Sequence, residues 1–150
     1  MAYTVLILNG PNLNLLGSRE PEVYGTATLD DIVAGITAHA ETADVTTDVT
    51  VEAYQSNVEG ELINRLHAAR GTVDGVIFNP GAFTHYSYAL RDAISATELP
   101  VIETHMSNVH AREEFRHRSV LAAVCLGVVA GFGSDSYRVA FDALVRHLSQ

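Results

Sequence analysis

The feature that most constrains this chain is the alternation of short apolar, β-branched runs with longer segments whose apolar residues recur every three or four positions. Thr4-Val5-Leu6-Ile7-Leu8 has no polar face and is closed by Asn9-Gly10-Pro11-Asn12, a pattern that predicts a strand buried on both sides followed by a turn. Such a strand needs cover above and below, as in a parallel sheet flanked by helices. Thr28-Leu29-Asp30-Asp31 resembles a capping box, and Leu29, Ile32, Val33, Ile36 and Ala40 continue at helical spacing. Residues 45–54 alternate, with Val49, Val51 and Ala53 on one face, and predict a second strand. Ser56-Asn57-Val58-Glu59 then caps a helix carrying Val58, Leu62, Leu66 and Ala69, which ends before Gly71. Gly75-Val76-Ile77-Phe78 predicts strand three, and Ala89, Leu90, Ala93 and Ile94 mark a helix that Pro100 terminates. Val101-Ile102-Glu103 predicts strand four. The polar stretch 105–119 predicts a short helix, and the apolar segment 120–130 contains strand five. Tyr137, Ala140, Phe141, Leu144 and Leu148 outline a C-terminal amphipathic helix.

Five strands alternating with helices predict an α/β fold, a three-layer sandwich of the flavodoxin-like kind around a five-stranded parallel sheet. In such folds ligands bind beyond the carboxyl ends of the strands. The 150 residues suit a single domain, 1–150, able to bury roughly 70% of the surface its unfolded form exposes. No stretch approaches the roughly 20 apolar residues of a membrane helix. The first residues run straight into strand one rather than into a signal peptide, so a soluble cytoplasmic protein is expected. A formal charge of −9, from 9 basic and 18 acidic residues, argues against a nucleic-acid surface but leaves room for a local anion site around Arg19, Arg112, Arg116 and Arg118. Cys125, alone in its kind and set in an apolar run, reads as a small core hydrophobe.

The polar chemistry collects after strands one, three and four: Asn9-Gly10-Pro11-Asn12, then Asn79-Pro80-Gly81 with His85, then Glu103-Thr104-His105-Met106-Ser107-Asn108. Asn9 and Asn79 are amides, so the paired strand-end carboxylates of a magnesium-dependent phosphoryl site are missing. There is no phosphate-binding GxxxxGK[ST] motif, and Gly131-Phe132-Gly133 lacks the third glycine of a dinucleotide fingerprint. Glu103 and His105 are two apart on an extended segment and therefore share a face, which suits a carboxylate orienting an imidazole. It suits zinc ligation with His85 and His110 too, although the spacing matches no closed metal motif.

Together the segments resemble the signature of the type II dehydroquinases. Asn9-Gly10-Pro11-Asn12-Leu13-Asn14-Leu15-Leu16-Gly17, Arg19-Glu20-Pro21 and Tyr24-Gly25 carry the resemblance. Gln55-Ser56-Asn57, Asn79-Pro80-Gly81-Ala82, Thr84-His85, Arg91-Asp92-Ala93 and the run from Glu103 to Asn108 through Arg112-Glu113-Glu114-Phe115-Arg116 extend it over nearly the whole chain. Several long motifs in the right order are far more specific than any short pattern.

That resemblance implies a cofactor-free, metal-free 3-dehydroquinate dehydratase that takes a proton from the carbon beside the ketone, passes through an enolate and expels a hydroxyl as water. It implies Tyr24 as the base. A phenol is almost wholly neutral at pH 7, so such a base needs a neighbouring cation. A guanidinium about 4 Å away at an effective dielectric near 20 supplies on the order of 4 kcal/mol. Arg19 is the first candidate and Arg112 the second. The same resemblance implies His105 as the acid, oriented by Glu103, and Asn12 as the holder of a water or the enolate oxygen. Main-chain N–H groups of Met106 and Ser107 would form a nest for the substrate carboxylate, with Asn79, His85 and Arg116 gripping carboxylate and ring hydroxyls. Asp92, seven residues after His85, would reach a neighbouring subunit's site in a dodecamer built from trimers. Departures from the family pattern are the bulky Tyr86 and Tyr88, Met106 in place of a β-branched residue, and Ser136 where glycine is commoner.

Overall fold

The computed structural model describes residues 1–42 and 47–150. Its sheet is parallel throughout, in the order β2-β1-β3-β4-β5, with β1 Ala2–Asn9, β2 Asp48–Gln55, β3 Gly75–Asn79, β4 Val101–His105 and β5 Gly127–Ala130. The helices are α1 Pro21–Tyr24, α2 Leu29–Thr42, α3 Glu59–Ala69, α4 Tyr88–Thr97 and α5 Asp135–Leu148. Alternate side chains of the central strands serve different layers. Val5, Ile7, Ile77 and Ile102 pack under α2 and α5, on Ile32, Ile36, Tyr137 and Phe141. Leu6, Leu8, Val76, Phe78 and Val101 pack on α3 and α4, through Leu62, Leu66, Leu90 and Ile94. This is the three-layer α/β sandwich expected from the alternation.

The capping box at α2 forms reciprocally, with the Thr28 N–H donating to Asp31 Oδ2 at 3.0 Å and the Asp31 N–H to Thr28 Oγ1 at 3.1 Å. Of the strand expected over 45–54, Val45 and Thr46 lie outside the described residues. Two expectations are sharpened. The short helix expected within 105–119 forms as two 3-10 turns, at Val109–Ala111 and Glu114–His117. The Asn108 side chain accepts from the His110 N–H, and His117 Nε2 bonds the Arg112 carbonyl, so side-chain bonds to the local main chain displace the helical ladder. Within 120–130 only Gly127–Ala130 is strand. Val120 and Leu121 are apolar because they are buried with Leu90 and Ile94, and their N–H groups bond the Thr84 carbonyl and Ser119 Oγ rather than β4.

At the carboxyl end of the sheet Asn9 lies in register with both Gln55 and Asn79. The turns leaving β1 and β3 touch, because the Gly10 N–H donates to the Asn79 carbonyl at 2.8 Å. A Cβ on Gly10 would sit 2.6 Å from the Pro80 carbonyl oxygen. Gly10→Ala is therefore expected to push the two turns apart at a cost of about 1–3 kcal/mol, seen as a melting temperature lower by several degrees. An unchanged melting temperature would mean that the turns are not held in contact.

Candidate active site

The turns that follow β1, β3 and β4 enclose a cavity of about 250 Å³, slightly below the ~300 Å³ at which drug-sized sites begin and suited to one small ring. Its wall includes Asn12, Arg19, Tyr24, Asn79, His85, His105, Met106, Ser107, Arg112 and Arg116. Asp92 is not among them; it stands exposed on α4.

Tyr24 is carried by α1, a single turn started by Pro21 at its first position and closed by Gly25 at φ 80°. The turn delivers its ring to two cations. The Arg19 guanidinium carbon lies 5.0 Å and that of Arg112 5.5 Å from the ring centroid, both inside cation–π range. Arg19 also pairs with Glu20 at 3.3 Å, and Arg112 Nη1 donates to Ser107 Oγ at 3.1 Å. Asn12 sits in the left-handed region at φ 69°, which asparagine tolerates better than most residues. Its N–H donates to Asn57 Oδ1 at 2.9 Å.

On the opposite side, at the end of β4, His105 and Glu103 form a buried pair, with Nε2 of His105 2.5 Å from Glu103 Oε2. Glu103 also accepts from Thr84 Oγ1 at 2.6 Å and from Ser119 Oγ at 2.7 Å. Burial by itself would push the Glu103 carboxyl up. The hydrogen bond and charge of His105, with the Thr84 and Ser119 hydroxyls, outweigh it and hold the group below the usual carboxylate range. A carboxylate holding three donors is well supplied in a site where an unpaired charge would be costly. Because Nε2 faces Glu103, Nδ1 is the His105 nitrogen left for the cavity.

Burial, with the neighbouring His105 and Arg116 charges, lowers the His85 pKa, against the opposing pull of the Arg118 carbonyl and Glu103. His85 is thus neutral near pH 7, and its Nδ1, 2.8 Å from the Arg118 carbonyl oxygen, carries the proton. Nε2 then offers a lone pair. The main-chain N–H groups of Met106 and Ser107 have no acceptor among the described residues. Arg116 Nε pairs with Glu113 at 3.2 Å. Among the described residues no three His, Cys, Asp or Glu side chains are grouped to hold a metal ion. Cys125 lies partly buried away from the cavity, and desolvation pushes its thiol up to about 12.

The family model for Dehydroquinase class II matches residues 3–145. The chain belongs to that family. It is 53% identical over 146 residues to the 3-dehydroquinate dehydratase of Ruegeria pomeroyi, covering 97% of this chain and 95% of that one. It is 52% identical over 142 residues to the catabolic 3-dehydroquinase of Aspergillus clavatus, covering 95% and 92%. The crystal structure of the type II dehydroquinase from Butyrivibrio crossotus superimposes with a TM-score of 0.90 at 43% identity, over 96% of this chain and 98% of that one.

In this class II dehydroquinase the residues singled out in the sequence gather at one cavity, apart from Asp92 on the outside, Glu103, which stands behind His105, and Arg118 and His110, which do not line it. Two contributors escaped the sequence: Ser119 and Tyr137. Ser119 reaches Glu103 from 16 positions away and Tyr137 reaches Asn9 from 128, so no local pattern marks either. Thr84 stood in a quoted motif without a role. No helix among the described residues is long and apolar enough to cross a membrane.

Proposed function

We propose that this chain is a 3-dehydroquinate dehydratase, acting on its small-molecule substrate without cofactor as one catalytic domain. Membership of the class II dehydroquinases, with Tyr24 beneath two guanidinium groups and a buried His105–Glu103 pair in the same cavity, is the observation that carries the reading. Tyr24, as the phenolate, takes a proton from the CH₂ beside the ketone. Negative charge spread into the ring faces the Arg19 and Arg112 guanidinium groups. Charge then moves to the ketone oxygen, where Asn12 supplies a donor directly or through a water. His105 delivers a proton from Nδ1 to the departing hydroxyl. With Nε2–H held by Glu103, the ring that delivers this proton carries one on each nitrogen, beside the Glu103 carboxylate. The free N–H groups of Met106 and Ser107 receive the substrate carboxylate, with Arg116, Asn79 and the Nε2 lone pair of His85 on the remaining oxygens.

Asp92 completes the site of a neighbouring subunit in a dodecamer of trimers, which its exposed place on α4 leaves it free to do. The enzyme works in the cytoplasm, either in the shikimate pathway to chorismate and the aromatic amino acids or in quinate breakdown. The purified protein, mixed with 3-dehydroquinate and excess chelator, is expected to give a rising ultraviolet absorbance from the conjugated enone of 3-dehydroshikimate. No rise in fresh substrate would overturn the reading. A rise abolished by the chelator would replace it with a metal-dependent one.

A further inference from the structure

Behind the cavity wall the end of β1, the end of β3 and the first turns of α5 meet in a small polar cluster inside the core. Tyr137 is fully buried, and Asn9 and Asn79 are 1% and 4% exposed. Tyr137 Oη lies 2.7 Å from Asn9 Oδ1 and 2.9 Å from Asn79 Nδ2, and the Gly81 N–H lies 3.1 Å from Asn79 Oδ1.

The polarity of this chain follows from one group. A main-chain N–H can only donate, so the Asn79 atom facing Gly81 must be the amide oxygen. Its NH₂ therefore faces Tyr137, whose oxygen must accept. The hydroxyl has a single proton, which is left for Asn9, and Asn9 must meet it with its own oxygen. The Asn9 NH₂, turned the other way, is buried with no partner, a loss tolerated for the sake of the chain's direction. Burial holds the Tyr137 phenol well above its ordinary value, so the proton is present at every working pH. Asn79 lines the cavity with its oxygen and one N–H already engaged inside. Of its two donors, the second N–H remains for a ligand.

We infer that Tyr137 is a positioning residue that locks the orientation of the Asn79 amide, so that its second N–H is presented to an oxygen of the substrate. This rests on the reading of Asn79 as a substrate ligand. It makes a core tyrosine, remote from the reacting atoms, part of how the site aims a donor at a carboxylate or hydroxyl oxygen. Without the hydroxyl, the amide loses one of its two anchors and its remaining N–H is no longer aimed.

The test is a double-mutant cycle on the Michaelis constant, with melting temperatures alongside. Tyr137→Phe is expected to raise KM about tenfold, the scale of one hydrogen bond, with kcat changed by less than about twofold. In the Asn79→Ala background the same replacement is expected to move KM by less than about twofold, because its route to the substrate has been removed. A purely structural tyrosine would lower the melting temperature in both backgrounds and leave KM alone. An unchanged KM in Tyr137→Phe, or an equal rise in both backgrounds, overturns the inference. If Asn79→Ala itself leaves KM unaltered, Asn79 is not a substrate ligand and the inference falls with that assignment, while wild-type turnover still stands for the dehydratase reading. Should Tyr137→Phe fail to fold, Asn9→Ala serves instead. Asn9 does not line this cavity, and losing its oxygen frees the Tyr137 proton to turn toward Asn79 and release the amide. A raised KM supports the inference, and an unmoved one overturns it.

Discussion

Tyr24→Phe is expected to lose about 10²–10⁴-fold of kcat, the range typical of removing a positioned general base, with substrate affinity changed by no more than a few-fold. The replacement deletes one oxygen and keeps the ring that Arg19 and Arg112 approach at 5.0 and 5.5 Å. The Tyr24 hydroxyl makes no hydrogen bond to any described residue, so the fold loses nothing with it. A loss confined to kcat identifies a group needed in the transition state rather than for ground-state binding. It is checked by steady-state kinetics together with calorimetric binding of substrate to the variant. Retained turnover would mean that another group takes the proton.

Glu103→Gln is expected to be the second most damaging change, and to damage stability as well as rate. Glu103 meets three groups that come to it as donors: His105 Nε2–H, Thr84 Oγ1–H and Ser119 Oγ–H. Glutamine is nearly the same shape, and Ser119 Oγ can turn to accept its N–H and give its own proton to Thr84 Oγ1, 2.8 Å away, so the loss falls on the charge beside His105. Removing one partner of a buried pair costs about 3–5 kcal/mol. His105 also loses the carboxylate that holds its Nε2, and kcat is expected to fall about 10²-fold or more. The pH dependence has a definite sign. Glu103 is held below the ordinary carboxylate range when folded, so its contribution is fully present above the unfolded value and is lost as pH falls through the lowered folded one. Wild type should therefore destabilise in acid across that window, and Glu103→Gln should lack that component. Equal melting temperatures and equal acid sensitivity in the two proteins would contradict this account of the pair.

What the sequence reveals and what it hides divide along physical lines. β1, β3 and β4 are legible because strands covered on both faces are written as unbroken apolar runs, and their polar terminations at Asn9, Asn79 and Glu103 mark the sheet end where the cavity lies. The start of α2 is legible because a capping box is local. The region 105–119 is not, because its conformation depends on Asn108 and His117 bonding nearby main chain. Residues 120–124 mislead for a different reason: burial makes Val120 and Leu121 apolar whether or not they join the sheet. Tyr24 and Arg19 can be named from the motif they share, but their approach depends on the one-turn α1 and the left-handed Glu20 before it. Ser119 and Tyr137 act on residues far away in the chain, and only the assembled sheet brings them together.

The proposed reaction, with Tyr24 and His105 as separate groups on opposite sides of the cavity, is an anti elimination of water across one ring. Its most direct test is 3-dehydroquinate stereospecifically deuterated, in separate samples, at each hydrogen of the CH₂ between the ketone and the carbon bearing the departing hydroxyl. Mass spectrometry of the enone product is expected to show loss of the hydrogen on the face opposite that hydroxyl and retention of the other. Loss of the hydrogen on the same face, or scrambling of both, would contradict it.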